Sequence, residues 1–120
     1  MQTGSKLYEV QHLDSVHCVK IVDQMLVSCG HTTVRFWNVT DGKQLHQLEI
    51  TDYCAMFDLN PGRTLLAVAH NSGVSIWDFS SRTKLTEINF NDVVDVRFNE
   101  DGTKLIVGQY DGQVSLVGMH

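Results

Sequence analysis

The sequence lacks the features that mark membrane, secreted and nucleic-acid-binding chains. Its longest uninterrupted apolar run is five residues, at 65–69, whereas a membrane-spanning helix needs about 20. The first six residues contain no apolar segment, so we expect no secretory signal. Charged residues make up 19% and the net charge is −5, which disfavours broad binding to phosphate backbones. We therefore expect a soluble intracellular chain, cytoplasmic and/or nuclear, with no membrane partner and no direct nucleic-acid partner.

Cysteine is scarce and carries no recognisable pairing pattern. Cys18, Cys29 and Cys54 are an odd number of cysteines and include no C-x-x-C pair, which disfavours a disulfide framework and fits a reducing compartment. We interpret all three as small buried hydrophobic residues.

Motifs for catalysis, metals and cofactors are also missing. The six histidines show neither H-x-x-x-H nor H-x-E spacing, so a zinc site is not predicted. No G-x-S-x-G motif surrounds a serine, and no glycine-rich phosphate loop is present. The sequence therefore predicts no enzyme activity, no metal and no cofactor.

An internal repeat with a period of 40 residues organises the chain. The segment at 34–38, VRFWN, recurs as VSIWD at 74–78 and as VSLVG at 114–118. Upstream apolar positions keep the same step, pairing Leu26 with Leu66 and Ile106, and Val27 with Ala67 and Val107. Such a period indicates one repeated supersecondary unit.

The units consist of short strands. Segments of five to seven residues alternate apolar with polar positions and are rich in Val, Ile, Phe and Trp, which is typical of β-strands. Turn sequences such as Asn60-Pro61-Gly62 and Asp111-Gly112 separate them. The sequence therefore predicts an all-β chain with twelve strands, at 6–10, 16–21, 25–30, 33–38, 44–49, 54–59, 64–70, 73–78, 83–89, 93–98, 104–110 and 113–118.

These residues resemble the WD40-repeat family. The stretch 25–38 is similar to the end of a WD40 repeat, and 65–78 is similar to a second, closing on Trp77-Asp78. A degenerate third runs from 105 to 118, and 98–102, FNEDG, resembles the family's hairpin sequence. The resemblance implies a β-propeller arc of three four-stranded antiparallel blades.

The family's polar network of His, Ser, Asp and Trp is present only in pieces. The resemblance makes His12, Trp37, Trp77 and Asp78 structural residues. In the first unit Val27 takes the Ser position and His31 the Asp position. In the second, Ala67 and Asn71 stand with Trp77, and in the third Val117 replaces the Trp while Asp111 remains. The tryptophans are expected to pack between blades.

The predicted units are a leading fourth strand at 1–10, a first repeat at 11–50, a second at 51–90, and a third at 91–120 without its fourth strand. Since propellers usually close with four to eight blades, three blades are incomplete as a single chain. Two alternatives remain open: the chain is a fragment or short isoform of a larger propeller, or two copies join head to tail into six blades.

By the same resemblance, one rim of the propeller carries the partner-binding loops, with Tyr53 and Tyr110 as natural anchors. These loops contain aspartates but no Lys or Arg, so we expect the rim to prefer basic or neutral peptides. The candidate rim residues are Asp14, Ser15, His31, Asp52, Tyr53, His70, Asn71, Asp92, Tyr110 and Asp111.

The functional expectation is a non-catalytic scaffold that binds other proteins on its rim. An adaptor subunit that presents substrates to a larger enzyme complex, such as a ubiquitin ligase or an RNA-processing assembly, is the alternative.

Overall fold

The described chain is built only from strands and their connections. A computed structural model describes residues 9–11, 15–50 and 52–119, and in this part of the chain no helix occurs that is long and apolar enough to cross a membrane. The strands are β1 Cys18–Val22, β2 Met25–Gly30, β3 Thr33–Asn38, β4 Gln44–Glu49, β5 Cys54–Leu59, β6 Leu65–His70, β7 Gly73–Asp78, β8 Thr83–Asn89, β9 Val93–Phe98, β10 Lys104–Gln109 and β11 Val114–Gly118.

The all-β prediction is confirmed, and these eleven strands lie within two residues of the predicted bounds. The twelfth predicted strand, at 6–10, falls outside the described residues except for Glu9 and Val10, which are not in a strand.

Side-chain hydrogen bonds to the backbone shape the predicted β5–β6 turn. Asn60 Oδ1 accepts hydrogen bonds from the backbone N–H groups of Thr64 and Leu65, at 2.8 and 2.9 Å, which closes the β5–β6 hairpin.

The strands form three antiparallel sheets, which we call blades 1, 2 and 3. Blade 1 has the order β1-β2-β3-β4, blade 2 has β5-β6-β7-β8, and blade 3 contains β9-β10-β11. Consecutive strands pair with their neighbours throughout, as the short connections require. The three blades make the open arc that the sequence predicts.

Two apolar cores lie between the blades. Phe36 of blade 1 and Phe57 and Leu66 of blade 2 belong to the first core. Ile76 of blade 2 and Leu105 of blade 3 belong to the second. All five side chains are almost completely buried, so the hydrophobic effect holds each blade against the next.

The strand register corrects the repeat alignment in the third unit. Leu26 lies opposite Trp37, and Leu66 lies opposite Trp77. The residue opposite Val117 is Leu105 rather than Ile106. Strands β9 and β10 therefore follow their counterparts β5 and β6 by 39 residues, whereas β11 follows β7 by the predicted 40. A one-residue shift moves a side chain to the other face of the sheet.

The register also corrects the interpretation of the polar network. Trp37 Nε1 donates a 2.9 Å hydrogen bond to the hydroxyl of Ser28, so Ser28 and not Val27 provides the serine of blade 1. Val27 instead lies on the opposite face, in the first core. The prediction for His12 lies outside the described residues.

Blade 2 lacks this hydrogen bond. Val68 takes the place of Ser28, since it lies opposite Ser75 just as Ser28 lies opposite Arg35. In the described part of the chain the buried Nε1 of Trp77 has no hydrogen-bond partner. Trp77 packs against the first core, in agreement with the expectation that it lies between blades. Asp78 accepts a 2.9 Å hydrogen bond from the Ser81 backbone N–H and caps the β7–β8 turn.

Candidate functional site

The predicted loops lie together at one end of the blades, which we call the rim. Because β2, β6 and β10 end at this side of the blades and β5 and β9 begin there, successive blades present the same connections at one edge. The rim comprises the described residues 15–17, 31–32, 50, 52–53, 71–72, 90–92 and 110–113.

Two glycines allow the backbones of the rim to approach closely. A Cβ on Gly30 would lie 1.9 Å from the Ser15 carbonyl oxygen, and one on Gly73 would lie 2.1 Å from the Ile88 carbonyl oxygen. Gly73 also has a φ of +154°, which L side chains rarely adopt. The end of β2 therefore runs directly against the segment before β1, and the start of β7 runs directly against the end of β8.

Backbone hydrogen bonds join the rim loops across blades. Asn71 O accepts from Asp92 N at 2.7 Å, and Asp92 O accepts from Tyr110 N at 2.9 Å. At the junction of blades 1 and 2, His31 O accepts from Cys54 N at 2.7 Å. The loops are therefore held together by main-chain hydrogen bonds.

A polar depression opens between blades 2 and 3. Its volume is about 820 Å³, and three of its lining residues are predicted rim residues that the fold brings together: Asn71, Asp92 and Asp111. Asp92 has a φ of 49°, in the left-handed region that Asp and Asn tolerate best among residues other than glycine. The remaining lining residues are Ser72, Asn89, Phe90 and Asn91.

The rim is acidic. Asp52, Asp92 and Asp111 are its carboxylates, and its described loops contain no Lys or Arg. A hydrogen bond from the Ser72 hydroxyl is the main cause that lowers the pKa of Asp52 below its ordinary value. Asp52 is therefore ionised at neutral pH.

The aromatic residues of the rim are in two places. Tyr53 is exposed and meets His31 edge to face, with ring centroids 4.9 Å apart and an interplanar angle of 84°. Tyr110 is also exposed, on the β10–β11 turn of blade 3. Tyr53 and His31 thus form one aromatic contact at the junction of blades 1 and 2, and Tyr110 stands in a different blade.

His70 does not fit its predicted role as a rim contact, because its side chain is only 1% exposed. Its Nε2 lies 2.6 Å from Glu87 Oε1, and its Nδ1 lies 3.9 Å from Asp52 Oδ2. Hydrogen bonds from Lys84 and, secondarily, from His70 lower the pKa of Glu87. His70 is therefore a buried residue that contacts Glu87 of β8 and lies near Asp52 in the loop before β5. The prediction for Asp14 lies outside the described residues.

Sequence reasoning did not single out Asn89 and Phe90 as rim residues. The only local signal for them was their position at the end of a predicted strand, directly before Asn91 and Asp92. Their place in the depression depends on how blade 3 packs against blade 2.

The three cysteines lie near one another at the junction of blades 1 and 2. Cys18 is opposite Cys29 across β1 and β2, and the Cys54 thiol donates a 3.3 Å hydrogen bond to the Thr33 carbonyl oxygen. The neighbouring Cys29 thiol is the main cause that lowers the pKa of Cys18 to about 6. All three thiols are free. Among the described residues no group of three His, Cys, Asp or Glu side chains is arranged to hold a metal ion.

Comparison with known proteins supports the fold through similar solved structures and not through similar sequences. No protein-family model matches the sequence, and no curated protein matches it. Among solved structures, U3-55K superposes with a TM-score of 0.81 at 18% identity over 89% of this chain. The RRP9 WD40 repeats superpose with a TM-score of 0.81 at 18% identity over 89% of this chain. A chain of the mitotic checkpoint complex superposes with a TM-score of 0.82 at 19% identity over 93% of this chain.

The present chain spans 37%, 36% and 38% of the lengths of these three structures, respectively. The sheets, their order and the packing of one blade on the next agree with the predicted resemblance. The chain therefore has the fold of a WD40-type β-propeller, with its described residues forming an open arc of three blades.

Proposed function

We propose that this chain is a non-catalytic interaction scaffold that binds basic or neutral peptide segments of partner proteins on its rim. The observation that carries the proposal is the depression between blades 2 and 3, where side-chain amides and two carboxylates face solvent without a cation among the lining residues. Such a surface attracts Lys and Arg side chains and repels phosphorylated or acidic segments.

The exposed tyrosines support this function. Tyr53 and Tyr110 are large, rigid side chains with a polar tip, and such residues contribute strongly to protein interfaces. The backbone bonds between rim loops reduce the entropy that a partner would have to remove on binding. The three free thiols fit a reducing intracellular compartment. One of the similar structures is that of a multiprotein assembly, the mitotic checkpoint complex.

The test is fluorescence polarisation with Lys/Arg-rich and acidic peptide pools. The basic pool is expected to bind more tightly, and Asp92→Asn with Asp111→Asn should weaken that binding. Asn keeps the left-handed backbone at position 92 and removes only the charge. Glu100→Gln, an exposed residue in the β9–β10 turn at the opposite end of blade 3, is the matched control and should bind like the unmodified chain. Equal or tighter binding of the acidic pool would contradict the proposal.

A further inference from the structure

Two cysteines face each other across neighbouring strands of blade 1. The register places Cys18 of β1 directly opposite Cys29 of β2, so the two side chains lie on the same face of the sheet. Residues that stand opposite one another in an antiparallel pair have Cα atoms about 4.5–5.5 Å apart, and disulfides span Cα distances of about 4.4–6.8 Å. The strand pairing therefore already provides the spacing that a disulfide needs.

The backbones of the two strands are bonded to each other at this pair. His17 N, immediately before Cys18, donates a 2.8 Å hydrogen bond to the Cys29 carbonyl oxygen. From Cys18 to Val22 the strand β1 then stays in register with β2 without a shift. A disulfide between the two cysteines therefore requires no change in strand pairing.

The blade architecture does not require cysteine at either position. The matching pair in blade 2 is Met56 opposite Ala69, and the matching pair in blade 3 is Asp95 opposite Gly108. Since blades with the same strand order have such different side chains here, packing alone does not account for two opposed thiols in blade 1.

The two thiols differ in access and in ionisation. Cys29 is completely buried in the first core, whereas Cys18 is half-buried and packs against that core. The neighbouring Cys29 thiol is the main cause that lowers the pKa of Cys18 to about 6, and the positive charge of Lys20 acts in the same direction. Because the thiolate is the reactive form of cysteine, Cys18 is the thiol that an oxidant meets first.

The third cysteine is placed differently. Cys54 belongs to β5 of blade 2, is only 1% exposed, and donates a 3.3 Å hydrogen bond from its Sγ to the Thr33 carbonyl oxygen. A link to Cys54 would join two blades, whereas a link between Cys18 and Cys29 joins two strands that are already paired. The register therefore favours Cys29 as the partner of Cys18.

We propose that Cys18 and Cys29 form a reversible redox site that reacts with hydrogen peroxide. The Cys18 thiolate attacks one oxygen of the peroxide, and the O–O bond breaks. The hydroxide that leaves takes up the proton that Cys18 had released, which gives water and a sulfenic acid at Cys18.

The second step consumes the sulfenic acid. The Cys29 thiol gives up its proton, and its sulfur attacks the sulfur of Cys18 while the S–O bond breaks. The hydroxide that leaves combines with the proton from Cys29 to form a second water. Two thiols and one peroxide thus become one disulfide and two waters, and a small dithiol restores both thiols by exchange.

The first experiment is peptide mapping of the unmodified chain after treatment with hydrogen peroxide and alkylation of the remaining thiols. Trypsin cleaves after Lys and Arg, so it places Cys18, Cys29 and Cys54 in three different peptides. These peptides are 7–20, 21–35 and 44–63. We expect the first two peptides to be linked, with a mass lower by two hydrogen atoms than their sum, and dithiothreitol to separate them. Cys54 should be recovered in its alkylated form.

Single substitutions assign a role to each thiol. Cys29→Ala introduces the residue that blade 2 has at Ala69; in this variant Cys18 should react more slowly and stop at a sulfenic acid, which dimedone labels. Cys18→Ser removes the accessible thiolate and should slow peroxide-dependent loss of thiols at pH 7 about tenfold. Cys54→Val copies Val93, which has the matching position in blade 3. It is the matched control and should form the disulfide like the unmodified chain. Circular dichroism should be unchanged in all three variants.

The pH dependence distinguishes this site from ordinary thiol oxidation. The rate at which Cys18 is oxidised should reach half its maximum at about pH 6, where half of this thiol is ionised, whereas an unperturbed thiol is half ionised at about pH 8.5. A disulfide that includes Cys54, a disulfide between two chains, an unchanged rate in Cys18→Ser, or oxidation that dithiothreitol does not reverse would overturn the proposal.

Discussion

Replacing Val68 with Thr should provide the hydrogen bond that blade 2 lacks. Val68 stands where blade 1 has Ser28, whose hydroxyl accepts the 2.9 Å bond from Trp37 Nε1. Trp77 Nε1 is buried without a partner in the described structure. Thr has almost the shape of Val, so the substitution adds a hydroxyl next to the orphaned indole N–H without opening a cavity in the core.

The magnitude follows from two opposing terms. Burying a hydroxyl without a partner costs about 1–3 kcal/mol. A hydrogen bond with the indole N–H offsets that cost, because it removes the penalty of about 1–3 kcal/mol of leaving the indole N–H unsatisfied. In a Ser75→Ala background, which removes the buried and unpaired hydroxyl opposite Val68, we therefore expect Val68→Thr to leave the free energy of unfolding nearly unchanged in the Trp77 protein. With Trp77→Phe, where no donor is then present, the same substitution should lower it by about 2 kcal/mol.

The assay is urea unfolding of the four proteins of this double-mutant cycle. The coupling free energy between positions 68 and 77 should be about 2 kcal/mol. Ser28→Ala in blade 1 is the reciprocal control and should be destabilising, since it removes the existing bond. A coupling energy near zero would refute the reasoning, because it would mean that the hydroxyl at position 68 does not reach Trp77.

Three further outcomes are expected from the same structure. Gly73→Ala should destabilise the fold by several kcal/mol in chemical unfolding, because its Cβ would overlap the carbonyl of β8; Gly62→Ala, with open space around the Cβ, is the control and should change little. Phe57→Ala should cost about 3–5 kcal/mol by opening a cavity in the first core, and a loss under 1 kcal/mol would argue against that packing. Cys29→Ala should raise the pKa of Cys18 from about 6 toward its ordinary value, because the Cys18 thiolate loses the neighbouring thiol that stabilises it. Alkylation by iodoacetamide at pH 7 should then slow, whereas an unchanged rate-versus-pH profile would contradict this assignment.

The sequence alone determined the all-β class and the division into repeated units. Alternation of apolar and polar residues and turn sequences such as Asn60-Pro61-Gly62 are local signals, because each strand and turn depends mainly on its own residues. The repeat in the sequence also predicted that Asn71, Asp92 and Asp111 lie on one rim, because equivalent loops of successive repeats lie on the same side of the sheets.

The tertiary structure decided which residues stand opposite one another and which become buried. Sequence spacing assigned Val27 to the serine position and Ile106 to the row of Leu26 and Leu66, and both assignments were wrong by one residue. Strand pairing has a side-chain period of two, so an error of one residue exchanges the two faces of a blade. The burial of His70 depends on its place on the face of blade 2 that meets blade 1, and the depression beside Phe90 arises only when blade 3 packs on blade 2. No local pattern records the distance between two blades.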